Sequence, residues 1–444
     1  MNAHPLIRLR HLLPRAGGEG TSAVDRHARH IDPAFVRLLG VLGYGRVFTR
    51  AEDVYVWDEQ DRRYLDLLAG FGSVNIGHNH PRLIRRLKAF LDEHPLNLNH
   101  TGISPHAAQL AEELARITSL DRVIFSNSGA EAVEAAMKLA RAATERPRIL
   151  FCERAFHGLS FGTLSVSATK RMREPYEPLL PECTAIPFGD LDALHREVVK
   201  NDVALFLVEP IQIEGGLHFP PAGYLKSARE ICAKHGVLFA LDEVQTGFGR
   251  TGSMFAFEQE DVKPDILILA KSAGGSIAPI GLTMTTPAIH KSSFASTFAG
   301  NAFACAAALE TLRILDDEDL VARSRQLGEE FLAMLRVRLE GHPLVKEIRG
   351  RGLLIAIELR RVAKTIAGQW LALALLERGV ILQPASEAWD VLRIEPPLTI
   401  TSAQVHDAVE AIGAVFDEHR STATLLAKAS RRVLAQLLRG GKFR

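Results

Sequence analysis

The sequence predicts an α/β protein: a mainly parallel sheet covered by helices on both faces, with a smaller α+β domain beside it. Three observations carry this. The chain has 444 residues and is 47% hydrophobic, enough for two or three domains with a sizeable core. From about Pro81 helical patterns alternate with short apolar runs, which implies crossover units. After about Asn301 the pattern becomes helical through Leu339 and then gives strand-like runs among further helices.

In chain order, residues up to about Leu39 are polar, basic and glycine-bearing, and read as a peripheral arm. Arg8, Arg10 and Arg15 precede any acid, which would also suit an organellar transit peptide, but no long apolar block marks a secretory signal. Val54–Trp57 and Arg63–Leu67 flank a polar turn and predict a hairpin. Arg122–Phe125, Arg148–Cys152, Val203–Val208, Val237–Leu241 and Ile266–Leu269 are the strands expected in the large sheet. Leu353–Glu358 and Val391–Ile394 are those expected in the small domain. The expected division is 1–80 for the arm and hairpin joining the small domain, 81–310 for the large domain, 311–420 for the small domain and 421–444 for a basic C-terminal helix. That last segment reads as a helix packed on its own protein, with a partner or an anionic surface as the alternative.

Composition excludes several function classes. Lys+Arg number 53 against 52 Asp+Glu, a net charge of +1, without the cationic excess that a nucleic-acid binder needs. No run approaches the apolar length of a membrane span. Cys152, Cys183, Cys232 and Cys305 are scattered with no Cys-x-x-Cys pair, against a disulfide framework or a zinc site. A soluble, cytoplasmic protein is expected. His78 and His80 have a His-x-His spacing, but beside Gly77, Asn79 and Pro81 they read as turn residues, not metal ligands.

Three tracts carry chemistry. Ser126–Glu131 (SNSGAE) follows a strand and opens a helix, whose free N–H groups and dipole favour a phosphate; helix capping alone would also explain it. Asp242 and Glu243 end an apolar strand, where an acid can hold a proton on a heterocyclic nitrogen, satisfy backbone donors or bind a metal. Lys271 ends another apolar strand, where desolvation makes its neutral amine accessible for a Schiff base, the alternative being a lysine that reaches solvent. The glycines of 247–252 match a dinucleotide pattern but lack the helix that should follow. Phosphate cradle, acid and lysine at one sheet edge form the set that pyridoxal 5'-phosphate needs.

With those residues in place, the chain resembles the class III (ω-type) pyridoxal-phosphate aminotransferases, of fold type I (aspartate aminotransferase-like). The matching tracts are GFGSVNIGHNHP at 70–81, SNSGAE at 126–131, AFHG at 155–158, EPIQ at 209–212, LDEVQTGFGRTG at 241–252, Ala270-Lys271, STFAGN at 296–301 and RIEPPL at 393–398. Within the family, 178–190, 220–225 and RIEPPLTIT resemble the putrescine (polyamine) branch.

The resemblance implies that Lys271 holds the cofactor and shuttles the proton, Asp242 pairs with the pyridine nitrogen and Gln245 contacts the phenolic oxygen. Phe156 and Val244 would pack on the two ring faces. Ser128, Gly129 and Ala130 would cradle the phosphate, with Thr297 supplied by the second subunit of a homodimer. Arg393 would bind a substrate carboxylate, with Glu214 as its gate; an ordinary surface ion pair, with Glu395 for instance, is the other reading of that arginine. His157 reads as structural.

Ile213 stands where the family commonly has a glycine, Ser272-Ala273 replaces the usual Ala-Leu, Ser276 replaces a third glycine and the Ile280–Thr297 link is short. The expected activity is ping-pong transfer of an amino group from a terminal amine, diamine or ω-amino acid to an oxo acid such as 2-oxoglutarate. The alternatives are an ornithine or acetylornithine donor, a long apolar aldehyde or ketone acceptor, an aminomutase, and a non-catalytic pyridoxal-binding scaffold.

Overall fold

The computed structural model describes residues 22–42, 44–98, 101–167, 170–290, 296–360 and 367–421. The basic runs at either terminus, expected as an arm and as a C-terminal helix, lie almost wholly outside these residues. What is described of the N-terminal segment is two short helices, Ala23–His30 and Pro33–Leu42, where a polar arm was expected. Ser22 caps the first by accepting from the Asp25 N–H, and Asp32 accepts from the Ala34 and Phe35 N–H groups at the start of the second.

The hairpin forms as β1 (Phe48–Glu52), β2 (Tyr55–Asp58) and β3 (Arg63–Asp66), all antiparallel. Asp58 closes its turn, accepting from the backbone N–H groups of Gln60 and Arg62 and from the Tyr64 hydroxyl.

The large sheet contains β4 (Arg122–Ser126), β5 (Arg148–Cys152), β6 (Cys183–Ile186), β7 (Val203–Val208), β8 (Leu238–Asp242), β9 (Ile266–Leu269) and β10 (Gly281–Thr285). Their order is β4-β10-β9-β8-β7-β5-β6, with β10 antiparallel to both neighbours and the other pairs parallel. Every residue of β5, β7 and β9 is buried, as expected of strands covered on both faces. β6 and β10 were not expected. Cys-Thr-Ala-Ile and Gly-Leu-Thr-Met-Thr are too short and too mixed to stand out from their flanks.

The C-terminal part adds β11 (Val345–Arg351), β12 (Leu354–Leu359), β13 (Val380–Ile381), β14 (Gln383–Pro384) and β15 (Val391–Ile394). β11, β12, β15 and β14 form an antiparallel sheet, while β13 runs parallel to β3 and ties the N-terminal hairpin to this region. The helix Ala302–Asp317 runs across the division expected at residue 310. Arg250, fully buried, joins three segments: its guanidinium donates to the Leu353 and Pro396 carbonyls and to Asn75 Oδ1. The glycine tract 247–252 therefore forms turns around this arginine, and no helix of dinucleotide-binding type follows it.

Candidate active site

Parallel pairing puts the ends of β5, β7, β8 and β9 on one edge, and the Gly281–Ser126 pairing brings the end of β4 there as well. A cavity of about 230 Å³ opens at that edge. Gly129, Ala130, Phe156, Glu214, Asp242, Val244, Gln245 and Lys271 all line it.

Lys271 follows β9 with φ +46°, a left-handed backbone that a β-carbon disfavours. Its ammonium donates to the Phe71 carbonyl at 2.9 Å and to Gln245 Oε1 at 2.5 Å. Burial lowers its pKa; Glu214, Glu395 and Asp242 pull the other way, and Arg393 adds to the lowering. The neutral, nucleophilic amine is thereby brought closer to working pH.

Asp242 ends β8. Its Oδ1 accepts from the Val244 N–H at 3.1 Å, and its Oδ2 lies 2.7 Å from His157 Nδ1. The His157 ring is fully buried and its Nε2 has no hydrogen-bond partner among the described residues. His157 was expected to be structural, and the fold gives it a definite partner in Asp242. The neighbouring carboxylate turns away. Glu243 accepts from the Ala256 and Phe257 N–H groups and the Thr246 hydroxyl, so it pins a loop. Burial pushes its pKa up to about 7, against those hydrogen bonds.

At the other end of the cavity the helix Gly129–Thr144 begins, with Ser128 as its N-cap accepting from the Glu131 N–H. Gly129 and Ala130 line the cavity, while the Ser128 hydroxyl is engaged in capping. A β-carbon on Gly281 would stand 2.2 Å from the Ser128 carbonyl oxygen, so glycine there lets β10 approach this turn. Asn127 Nδ2 donates to Ser296 Oγ at 2.9 Å. Thr297, next along, is exposed and lies outside the cavity of its own chain.

A third group closes the site. Arg393, on β15, is ion-paired with Glu214, whose other oxygen accepts from Ser386 Oγ. Burial would raise the Glu214 carboxyl, but Arg393 and Lys271 overcome it and hold its pKa below the usual value. The surface ion pair left open for Arg393 is in fact buried: Glu395 Oε1 lies 3.6 Å from Arg393 Nη1, with both side chains at most 1% exposed. Arg393 also stacks over the Phe71 ring at 4.8 Å. Glu209, whose Oε1 accepts from the Phe156 N–H at 2.6 Å, is pushed well above the ordinary carboxyl range by burial and by Asp242. The available sequence signal for Glu395 was its i+2 spacing from Arg393, which places both on one face of an extended strand. Ser386 had none.

The aminotransferase class-III family profile matches residues 42–416. The chain belongs to the class III aminotransferases. An ornithine aminotransferase of Bacillus cereus is 39% identical over 385 residues, covering 83% of this chain and 94% of that one. Aminotransferase PigE of a Serratia species is 34% identical, covering 89% of this chain and 53% of its own, so the present chain spans about half of PigE. Among solved structures, a Toxoplasma gondii ornithine aminotransferase, described with partial occupancy of pyridoxal phosphate at its active site, superposes with a TM-score of 0.80. It is 35% identical, covering 84% of this chain and 91% of that one. The aminotransferase therefore has the fold type I architecture. These relatives support the family and give no support to the putrescine branch.

Class III aminotransferases use pyridoxal 5'-phosphate, and the residues of this aminotransferase fit it. The cavity offers an amine for an aldehyde, a carboxylate for a ring nitrogen, a helix N-terminus for a phosphate and apolar groups, Phe156 and Val244, for a ring. The cofactor, when bound, supplies an aldehyde and an electron-withdrawing ring that stabilises negative charge on the substrate carbon.

Proposed function

We propose that this aminotransferase takes the amino group of a terminal amine on an ω-amino acid of the ornithine or acetylornithine kind and delivers it to an oxo acid, 2-oxoglutarate being the first acceptor to test. The observation that carries this reading is the buried Arg393–Glu214 pair beside the Lys271 ammonium. A guanidinium binds a carboxylate bidentately. With Glu214 on it, the site takes an amine end that brings no carboxylate; with Glu214 displaced, it takes the oxo acid.

The remaining residues would divide the work as follows. Lys271 Nζ would hold the cofactor and, when free, would take the proton from the substrate carbon that bears the amine. Asp242, oriented by His157, would hold a ring nitrogen protonated, and Gln245 would meet the phenolic oxygen. Phe156 and Val244 would confine the ring. Backbone N–H groups at Ser128, Gly129 and Ala130 would hold the phosphate, and Thr297, exposed on its own chain, would complete the cradle of a second subunit in a homodimer.

A second reading is a donor with no carboxylate at all, a diamine or an apolar amine. Ile211 and Ile213 favour it: both line the cavity and belong to a buried apolar cluster with Leu217, Leu354 and Val391. Half-reactions of the holoenzyme with ornithine, N-acetylornithine, putrescine and hexylamine, followed by loss of the cofactor's visible absorbance, separate the two. Reaction with the first pair supports the main reading, and reaction with the last pair alone replaces it. Lys271→Ala should abolish both the reaction and the borohydride-trapped adduct; an adduct that persists removes Lys271 from its role.

A further inference from the structure

Glu395 is an unusual group to find beside a carboxylate-binding arginine. It is 0% exposed, and its two oxygens are used differently. Oε2 accepts from Gln245 Nε2 at 2.7 Å, while Oε1 has no hydrogen-bond partner among the described residues and lies 3.6 Å from Arg393 Nη1. That same Nη1 is the atom that meets Glu214. One guanidinium edge thus faces two carboxylates, and only one can leave: Glu214 sits at the cavity wall, while Glu395 is packed beneath Gly72, where an added β-carbon would come within 2.8 Å of its Oε2.

We propose that Glu395 is a specificity-determining residue, a fixed second carboxylate that weakens the hold of Arg393 on substrate carboxylates and so favours the carboxylate-free amine end. This rests on Arg393 being the carboxylate site, as argued above. When Glu214 moves aside, Arg393 is still neutralised by Glu395, and an incoming carboxylate meets a pair of net charge zero instead of a lone cation. It also meets a like charge a few ångströms off, in a site with little water to screen it. The field of Glu395 reaches Lys271 as well, where it favours the ammonium form.

The test is binding of glutarate, a dicarboxylate that cannot accept an amino group, to wild-type, Glu395→Gln and Arg393→Gln holoenzymes. Glu395→Gln removes the charge and keeps an acceptor oxygen for Gln245. Its Kd for glutarate should fall by about tenfold, the scale of a single close like charge partly screened by protein dipoles. The rate constant for the 2-oxoglutarate half-reaction should rise in parallel relative to that for the amine: loss of the Glu395 field at Lys271 acts on both half-reactions, so their ratio isolates the effect on the carboxylate, and a merely structural role would not move it. Arg393→Gln should lose glutarate binding. Unchanged or weaker glutarate binding in Glu395→Gln, with binding lost in Arg393→Gln, overturns the role of Glu395 alone; binding retained in Arg393→Gln overturns the carboxylate site and this proposal with it. Should Glu395→Gln fail to fold, Glu395→Asp, which retracts the charge by one methylene, should give the same shift at smaller size, and its absence overturns the proposal.

Discussion

His157→Phe tests how much of the cofactor grip depends on a ring whose Nδ1 meets Asp242. The 2.7 Å contact is made by a ring with no solvent exposure. Removing it leaves Asp242 Oδ2 without that donor, while the Val244 N–H stays on the other oxygen. A buried hydrogen bond to a charged group is worth about 1.5–3 kcal/mol, so the Kd for pyridoxal phosphate should rise roughly tenfold to a hundredfold. Phenylalanine fills most of the imidazole volume, which limits the packing loss. The assay is equilibrium binding of the cofactor to apoenzyme, read by its absorbance, alongside thermal unfolding of the apoenzyme. An unchanged Kd, within about twofold, together with a lowered apoenzyme Tm, would refute the reasoning: His157 would then stabilise the fold without acting through Asp242.

Further expectations concern stability and selectivity. The Glu243 carboxyl has a folded pKa of about 7 against an ordinary value of 4.5. It therefore contributes stability that is fully present below pH 4.5 and lost as pH rises toward 7, on the order of 3 kcal/mol, and Glu243→Gln should flatten that part of the stability profile in denaturant titrations at pH 5 and 7.5. Gly281→Ala sets a β-carbon against the Ser128 carbonyl and should weaken phosphate binding, seen as faster loss of cofactor on dialysis than from wild type. Ile213→Gly removes a buried side chain from its apolar cluster and should lower stability by about 2–4 kcal/mol, measured by urea unfolding, while raising activity with carboxylate-bearing donors relative to hexylamine.

The sequence made the edge of the large sheet legible because its chemistry sits where apolar runs stop. Lys271 after Ile-Leu-Ile-Leu-Ala and Asp242 after Leu-Phe-Ala-Leu needed only strand length and burial to be placed. What escaped was local in space but distant in sequence. His157 meets Asp242 across 85 positions and Ser386 meets Glu214 across 172. No periodicity encodes such pairs. β10 escaped for another reason: it is the antiparallel strand in an otherwise parallel array, and its threonines, polar in composition, are buried because Thr283 and Thr285 donate to the Ala132 and Asp265 carbonyls. β11, charged and largely half-exposed, looks like a loop until it pairs with β12.

Arg250 gives the molecule a keystone. Its guanidinium clamps the turn after Gln245 to Asn75 and to the segments just before β12 and just after Arg393, so the loop bearing Gln245 and the strand bearing Arg393 are bolted to one cation. A hinge opening between them would strand that cation in a dry interior. Acceptance of new substrates must then come from exchanging side chains around the entrance, and a lineage adapting this scaffold would be expected to vary the rim and leave the bolt untouched.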